Sequence, residues 1–100
     1  MIGVPDEFKL SQNYPNPFNP VTKITFDIPH SVNSAGGDVL TELKIYDILG
    51  NEVKTLVNEK KSPGRYEIIF DASGLSSGVY FYRLSADGRQ ITGKSMLLLK

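Results

Sequence analysis

The sequence contains no cysteine and no tryptophan, and it has a single histidine among its 100 residues. Without cysteine the chain cannot form a disulfide, a thiolate zinc site or a cysteine nucleophile. The absence of cysteine does not identify the redox compartment of the protein, because exported proteins need not use disulfides. The lone histidine, His30, follows a proline and precedes a serine in an expected surface loop, so a serine triad would depend on a solvated residue.

The chain also lacks an excess of charge of either sign and any long apolar run. Eleven Lys and Arg balance eleven Asp and Glu, so no electrostatic footprint for nucleic acid or an anionic membrane is present. No apolar run approaches the roughly 20 residues that a transmembrane helix requires. We therefore predict one domain with no nucleic-acid partner.

Acidic residues offer weak candidates for chemistry. Asp71 with Asp87, or Asp47 with Glu52, could form the carboxylate pair of a glycosidase. Carboxylates at strand ends and turns more often accept hydrogen bonds from backbone amides, and we expect that role here. The sequence has no Asp-x-Asp-x-Asp-Gly calcium loop. We predict a protein without catalytic residues, cofactor or metal site, and not an enzyme.

The apolar residues alternate at period two, and no helical stripe is present. In the first clear strand, three apolar residues share one face and three polar residues share the other: Ile24, Phe26 and Ile28 against Lys23, Thr25 and Asp27. This pattern is typical of a strand with one solvated side. Pro29 ends the strand, and the glycines and polar residues of 30–41 predict a flexible surface loop.

The remaining pattern predicts further strands. Leu43, Ile45 and Leu49 are expected on the buried side of the next strand, and Gly50 permits a turn at residues 47–51. A partner strand over residues 52–57, a charged turn over 58–64 and a strand over 66–71 follow. Strands at 79–86 and 90–99 form a hairpin. Counting the region of Leu10, we predict an all-β, immunoglobulin-like antiparallel sandwich of about seven strands.

Residues 71–82 resemble the turn into the sixth strand of such sandwiches, where a tyrosine closes a corner and the residue two positions later enters the core. Tyr80, Tyr82 and Leu84 should then point inward. Each buried phenol requires a hydrogen-bond partner. The alternate residues should face outward: Val79, Phe81 and Arg83.

A proline-rich opening precedes the first clear strand. Pro15, Pro17 and Pro20 each fix their own φ and push the preceding residue toward extended geometry. Tyr14 and Phe18 are presented between them as anchors. One interpretation is that these anchors serve recognition, and the other is that they clamp this segment to the sandwich. The two are not exclusive, because a partner that recognises the folded shape needs the segment held in one geometry.

This opening, continued by PVTKITFDIP at residues 20–29, resembles the start of the type A C-terminal sorting domain of the bacterial type IX (Por) secretion system. Residues 43–53, LKIYDILGNEV, are similar to the family's central hairpin. Residues 78–84, GVYFYRL, which begin at Gly78, are similar to its Gly-x-Tyr strand. Lys94 and the terminal MLLLK of residues 96–100 resemble its basic and apolar ending. The four motifs stand in the family's order.

The resemblance implies a non-catalytic signal that directs an attached N-terminal cargo through the type IX machinery across the outer membrane. The protein would pass through the periplasm and be secreted or displayed on the cell surface. A sortase-like peptidase often removes such domains and anchors the cargo to lipopolysaccharide. Residues 1–9 would then be a linker remnant near any cleavage point, and residues 10–100 the sorting domain.

The last strand has apolar residues on both faces. Ile91, Gly93, Ser95, Leu97 and Leu99 share one face, and Thr92, Lys94, Met96 and Leu98 share the other. Either both faces are buried, or Met96 and Leu98 are exposed for recognition. Lys94 and Lys100 are either gatekeepers against edge aggregation or receptor contacts. The residues predicted to recognise a partner are Lys94, Met96, Leu97, Leu98, Leu99 and Lys100.

Other functions remain open at this point. An accessory immunoglobulin-like module that binds carbohydrate or spaces a secreted enzyme would use the same fold. A sugar binder should expose coplanar aromatics, for which the candidates are Tyr14, Phe18 and Phe81. The related domain of flagellar hook-capping proteins is a third possibility, against which the NPFNP sequence argues. A homodimer through an open sheet edge is also a possibility.

Overall fold

The structure is a computed structural model that describes residues 7–30 and 37–100. Residues 31–36, the middle of the predicted loop, lie outside these ranges. Within them the chain forms strands and no helix, so no helix of this part of the chain could span a membrane. The seven strands are β1 (Lys9–Leu10), β2 (Val21–Ile28), β3 (Val39–Tyr46), β4 (Glu52–Lys61), β5 (Gly64–Asp71), β6 (Gly78–Ala86) and β7 (Arg89–Leu98).

The strands form two antiparallel sheets. The first has the order β1-β2-β5 and the second the order β4-β3-β6-β7. The predicted all-β sandwich of about seven strands is therefore confirmed. Its immunoglobulin-like order places β4 beside β3, where variable-type domains add strands to the same sheet, rather than beside β5.

The core lies between the sheets and is built from the inward positions of the strands. Ile24, Phe26 and Ile28 are fully buried, as the alternation predicts. Phe26 stacks on Tyr66 with ring centroids 5.4 Å apart. Facing apolar residues come from every strand, so packing between the sheets supplies the stability that disulfides supply in many small exported domains. The other buried apolar residues include Leu10, Val39, Leu43, Ile45, Val57, Phe70, Leu84, Met96 and Leu98.

Asp27 departs from the predicted pattern. We expected it on the solvated side of β2, but the residue is only 4% exposed. Arg65 lies opposite it on β5 and donates two hydrogen bonds to the carboxylate, at 2.8 and 3.1 Å. Such a bidentate pair compensates for the lost hydration of a buried carboxylate, and alternation alone cannot predict it.

The strands around the middle of the chain are longer than predicted. β3 begins at Val39, so the loop expected over residues 30–41 was drawn too long. β4 continues to Lys61 and β5 begins at Gly64, which reduces the charged turn of 58–64 to two residues. Leu49 is 83% exposed, so its prediction as a core residue is wrong. It lies in the β3–β4 turn, where Gly50 has the predicted positive φ of 88°.

The predicted tyrosine corner is confirmed. The Tyr80 hydroxyl donates to the backbone carbonyl of Ser76 at 2.7 Å, just before β6. Tyr82 is fully buried, and its hydroxyl donates to the Ser11 carbonyl at 2.7 Å and accepts from the Asn13 N–H at 2.8 Å. Both buried phenols thus have the partners that they require. The alternate residues Val79, Phe81 and Arg83 face outward, also as predicted.

We expect Tyr82 to link stability to alkaline pH. Burial raises the pKa of its hydroxyl from 10.0 to about 12, so the unfolded chain releases this proton before the folded chain does. The folded state therefore loses roughly 2 kcal/mol of stability as pH rises from about 10 to about 12, and nothing from this group below pH 10. Urea unfolding across this pH range measures the loss.

Tyr82→Phe is the matched control. At pH 7 we expect it to lower the free energy of unfolding by about 1–3 kcal/mol, because the Asn13 N–H and Ser11 carbonyl lose their partner. Above pH 10 its stability should fall less steeply than that of the wild type. The same slope in both proteins would contradict the assignment.

Candidate functional site

The residues predicted to recognise a partner lie on the second half of β7 and just after it, and the structure divides them between two faces. Met96 and Leu98 are 2% and 0% exposed, because they lie opposite Tyr80 and Gly78 on the inner face of the sheet. The expectation that they form an exposed recognition surface is therefore wrong. The under-buried face is that of Leu97 and Leu99; Leu99 is 51% exposed.

An exposed apolar stripe results on the outer face of the second sheet. It consists of Val79 and Phe81 on β6, the half-buried Leu97 on β7 and Leu99 directly after β7, and we call it the tail stripe. Val79 lies opposite Leu97, and Phe81 lies opposite the small residue Ser95. Val79 and Phe81 are 39% and 37% exposed. Beyond Phe81 the apolar stripe ends at a cation, Arg83. The guanidinium carbon of Arg83 lies 4.5 Å from the centroid of the Tyr46 ring.

The two lysines of the predicted site differ in their contacts. Lys94 is half-buried on the inner side of β7, and within the described ranges it has no carboxylate partner. Lys100 is tied to the turn before β6: its backbone N–H donates to Ser77 Oγ at 2.9 Å, and its Nζ donates to the Ser73 carbonyl at 2.5 Å. These bonds hold the end of the chain, and with it Leu99 of the stripe, in place.

The proline-rich opening, residues 11–20, lies along the side of the sandwich, and we call it the strap. Its first half pairs with the first sheet, because Tyr14 and Lys23 exchange two backbone hydrogen bonds of 3.0 and 2.9 Å. Its second half pairs with the second sheet. The Phe18 N–H donates to the Leu97 carbonyl and the Leu99 N–H to the Phe18 carbonyl, each at 3.0 Å. The strap thus joins the two sheets beside the tail stripe.

Polar side chains of the strap complete its attachment, and the sequence reasoning missed them. Asn16 Oδ1 accepts from the Leu97 N–H at 3.0 Å, and Gln12 Nε2 donates to the Ser95 carbonyl at 2.7 Å. Asn13 is buried and donates to Thr22 Oγ1 at 3.0 Å. Prolines have no N–H and interrupt a strand ladder, and here side-chain amides of the strap bond to backbone groups of the last strand instead. The asparagines beside the prolines were the available signal.

The two aromatic residues of the strap have different environments. Phe18 is 2% exposed and packs against Phe70, with ring centroids 6.1 Å apart, so the clamp interpretation is confirmed for Phe18. Its prediction as an exposed aromatic is wrong. Tyr14 is 78% exposed and holds the strap only through its backbone. The peptide bonds before Pro15, Pro17 and Pro20 are cis.

The arrangement of exposed aromatics does not favour a sugar platform. Among the described residues, the two exposed aromatic side chains are those of Tyr14 and Phe81. Tyr14 lies beside β2 in the first sheet, whereas Phe81 lies on the outer face of the second. A planar sugar-binding surface requires neighbouring rings, and these two do not share a face.

Three of the four candidate carboxylates accept hydrogen bonds from backbone amides at turns, as predicted, whereas Glu52 on β4 accepts from Thr55 Oγ1 and pairs with Lys44. Asp47 accepts from the N–H groups of Asn51 and Leu49 at 2.9 and 3.0 Å, and the bond from Asn51 contributes most to lowering its pKa. Asp71 accepts from the hydroxyl and the N–H of Ser73, and the hydroxyl contributes most to its lowered pKa. Asp87 accepts from the Leu40 N–H at 3.2 Å. In the described ranges no three acidic or histidine residues form a metal site.

The segment that contains the strap, the tyrosine corner and the last strand matches a known sequence family. A model of the secretion system C-terminal sorting domain (Por_Secre_tail) matches residues 12–98. The chain belongs to this family. These domains are the C-terminal signals of the type IX secretion system, which exports proteins across the outer membrane, and in general they are not catalytic. A search of curated proteins found no match to the chain.

We expect the strap of this sorting domain to contribute to stability mainly through Phe18. Phe18→Ala should lower the free energy of unfolding by about 3–5 kcal/mol, because it empties a buried site. Tyr14→Ala, four residues earlier, should change it by less than about 0.5 kcal/mol, because the side chain is exposed. Urea unfolding followed by far-UV circular dichroism measures both. Equal losses would contradict the different environments of the two rings.

Proposed function

We propose that this domain is a non-catalytic address that the type IX machinery reads as a folded surface. The cargo is attached on the N-terminal side, and the domain carries it through the outer membrane to the cell surface or the medium. Membership of the family supports the export role. The tail stripe supports the choice of surface, because its apolar side chains Val79, Phe81 and Leu99 are exposed in the described part of the chain.

The tail stripe has the chemistry of a docking surface. Exposed apolar side chains grouped on one face commonly mark protein contacts, and burying each one contributes about 1–2 kcal/mol. Phe81 and Leu99 are the largest exposed members at its two ends. The strap holds the last strand in one geometry through its bonds to Leu97 and Leu99, so a receptor would meet a preorganised surface.

The predicted recognition residues then have two roles in the proposal. Leu97 and Leu99 contact the receptor through burial, and Lys100 contacts it through charge at the rim. Lys94 lies on the inner side of β7, outside the stripe, and can reach the receptor from the sheet edge alone. Met96 and Leu98 fix the strand from the core side and act through it.

The fate of the domain after export forms part of the same proposal. A sortase-like peptidase cleaves the chain and attaches the cargo to the cell surface. Residues 1–9 were assigned to the linker, but Lys9 already pairs with Asp27 and Phe8 packs against the core. Cleavage of paired backbone would require local unfolding, so we place the cleavage point before Phe8.

Export of a reporter tests the proposal. A fluorescent protein with a periplasmic signal peptide is fused to residues 8–100 and expressed in a type IX-competent host and in its translocon-deficient mutant. We expect surface or medium localisation in the competent host alone. Periplasmic retention of the folded fusion in both hosts would contradict the sorting role.

Paired variants then test the tail stripe. Phe81→Ser with Leu99→Ser should lower the exported fraction at least about tenfold, because two apolar contacts of about 1–2 kcal/mol each are lost. The control is Ile48→Ser with Leu49→Ser, which removes similar side chains that are 71% and 83% exposed in the β3–β4 turn. The control should export normally. Normal export of both double variants would contradict docking through the stripe and leave the sorting role intact.

A further inference from the structure

Within the described chain, four strands lie at sheet edges: β1 and β5 in the first sheet, β4 and β7 in the second. Proteins commonly blunt such edges against pairing with another chain. β1 has two residues and continues into the prolines of the strap. β4 has two register shifts against β3. β7 has a register shift, the inward-facing Lys94, and the strap along its end.

β5 has none of these features. Its eight residues, Gly64–Asp71, pair with β2 without a register shift. Its inner face presents Tyr66, Ile68 and Phe70, with no charged residue. On its outer face Ile69 is 63% exposed. A long and regular edge strand with an apolar inner face is a template for strand addition, although its outer face also carries Arg65, Glu67 and Asp71.

The hydrogen-bond pattern of the first sheet shows which groups of β5 are open. Lys23 and Thr25 of β2 bond toward the strap, to Tyr14 and Ser11. Bonding directions alternate along a strand, so the intervening residues of β2 bond to β5. The β2 residues that bond to β5 lie opposite its even-numbered residues, so the bonds between the two strands use Tyr66, Ile68 and Phe70. The N–H and C=O groups of its odd-numbered residues therefore point to the open edge: Arg65, Glu67, Ile69 and Asp71.

We propose that β5 pairs antiparallel with β5 of a second copy of this chain, around a two-fold axis at Ile68. The two first sheets then form one continuous six-stranded sheet. In this register Arg65 lies opposite the second copy's Asp71, and Glu67 lies opposite its Ile69. On the inner face Tyr66 meets Phe70, and Ile68 meets itself. The contact is isologous, so each favourable pair occurs twice.

Charge selects this register over its neighbours. Sliding the second copy's β5 to the next register in one direction places Glu67 opposite the second copy's Glu67. Sliding it to the next register in the other direction places Glu67 opposite the second copy's Asp71. Like charges directly opposite each other on antiparallel strands are destabilising. In the proposed register the guanidinium of Arg65, which is 63% exposed and pairs with Asp27 of its own chain, also faces the second copy's Asp71 at each end of the contact. The occupant of this edge is therefore a second copy of the same strand. The open sheet edge through which the sequence suggested a homodimer is, in this proposal, that of β5.

Sedimentation of the 100-residue chain tests the contact. The weight-average mass should rise from 11.1 kDa toward twice that value as the concentration increases from about 10 µM to about 1 mM. Ile69→Pro should remain monomeric at the highest concentration, because it removes an edge N–H without breaking the β2 ladder. Ile69→Thr keeps that N–H and should still associate. A wild type that is monomeric throughout would overturn the proposal.

Single cysteines test the register, since the chain has no other cysteine. In Ile68→Cys the two thiols face each other across the axis at a close, non-hydrogen-bonded pair, so a disulfide dimer should form in a glutathione buffer. In Glu67→Cys and Ile69→Cys the two α-carbons lie beyond the roughly 7 Å that a disulfide spans. Equal cross-linking of the three variants would overturn the register. Because the tail stripe lies on the other sheet, these outcomes are independent of the export test.

Discussion

The pairing of the strap with the last strand is the contact on which the rest of the structure depends. Phe18 fills the core between the sheets, while its backbone bonds to Leu97 and Leu99 on either side of Leu98. Without this contact the side of the sandwich between β1 and β7 would be open, and the end of β7 would be an unpaired edge. The buried hydroxyl of Tyr82 reaches the same strap through Ser11 and Asn13. The strap, the corner strand and the C-terminal strand thus form one cooperative unit.

This unit explains why the two faces of β7 differ in role. Met96 and Leu98 are committed to the core, so Leu97 and Leu99 must face away from it. A strand at the edge of a small sandwich has no third layer to cover its outer side. The apolar residues on that side are therefore available to another molecule. The strap covers the backbone edge of the same strand, so the docking proposed above would use side chains there rather than strand addition.

Much of the fold followed from the sequence, because alternation with one apolar side is a local signal. The positions of Ile24, Phe26 and Ile28, the turn at Gly50 and the corner at Tyr80 are set by residues close in the chain. Some errors are local, such as the burial expected for Leu49 and the length of the turn over residues 58–64. The others concern contacts between distant residues. Arg65 buries Asp27 across a strand pair, and the side on which Met96 lies depends on its register with Tyr80. The family motifs located the last strand as the candidate site, but alternation did not determine which face of that strand is exposed.

The direction of the strap has a mechanical consequence. Strap and last strand run parallel, with Gln12 beside Ser95 and Phe18 beside Leu98. A cargo pulled at the start of the strap against a tail held at its end would therefore load this junction in shear. The bonds at Gln12, Asn16 and Phe18 would share the force, whereas a peeling geometry would break them one at a time. The junction is thus oriented to resist tension between a moving cargo and a docked tail.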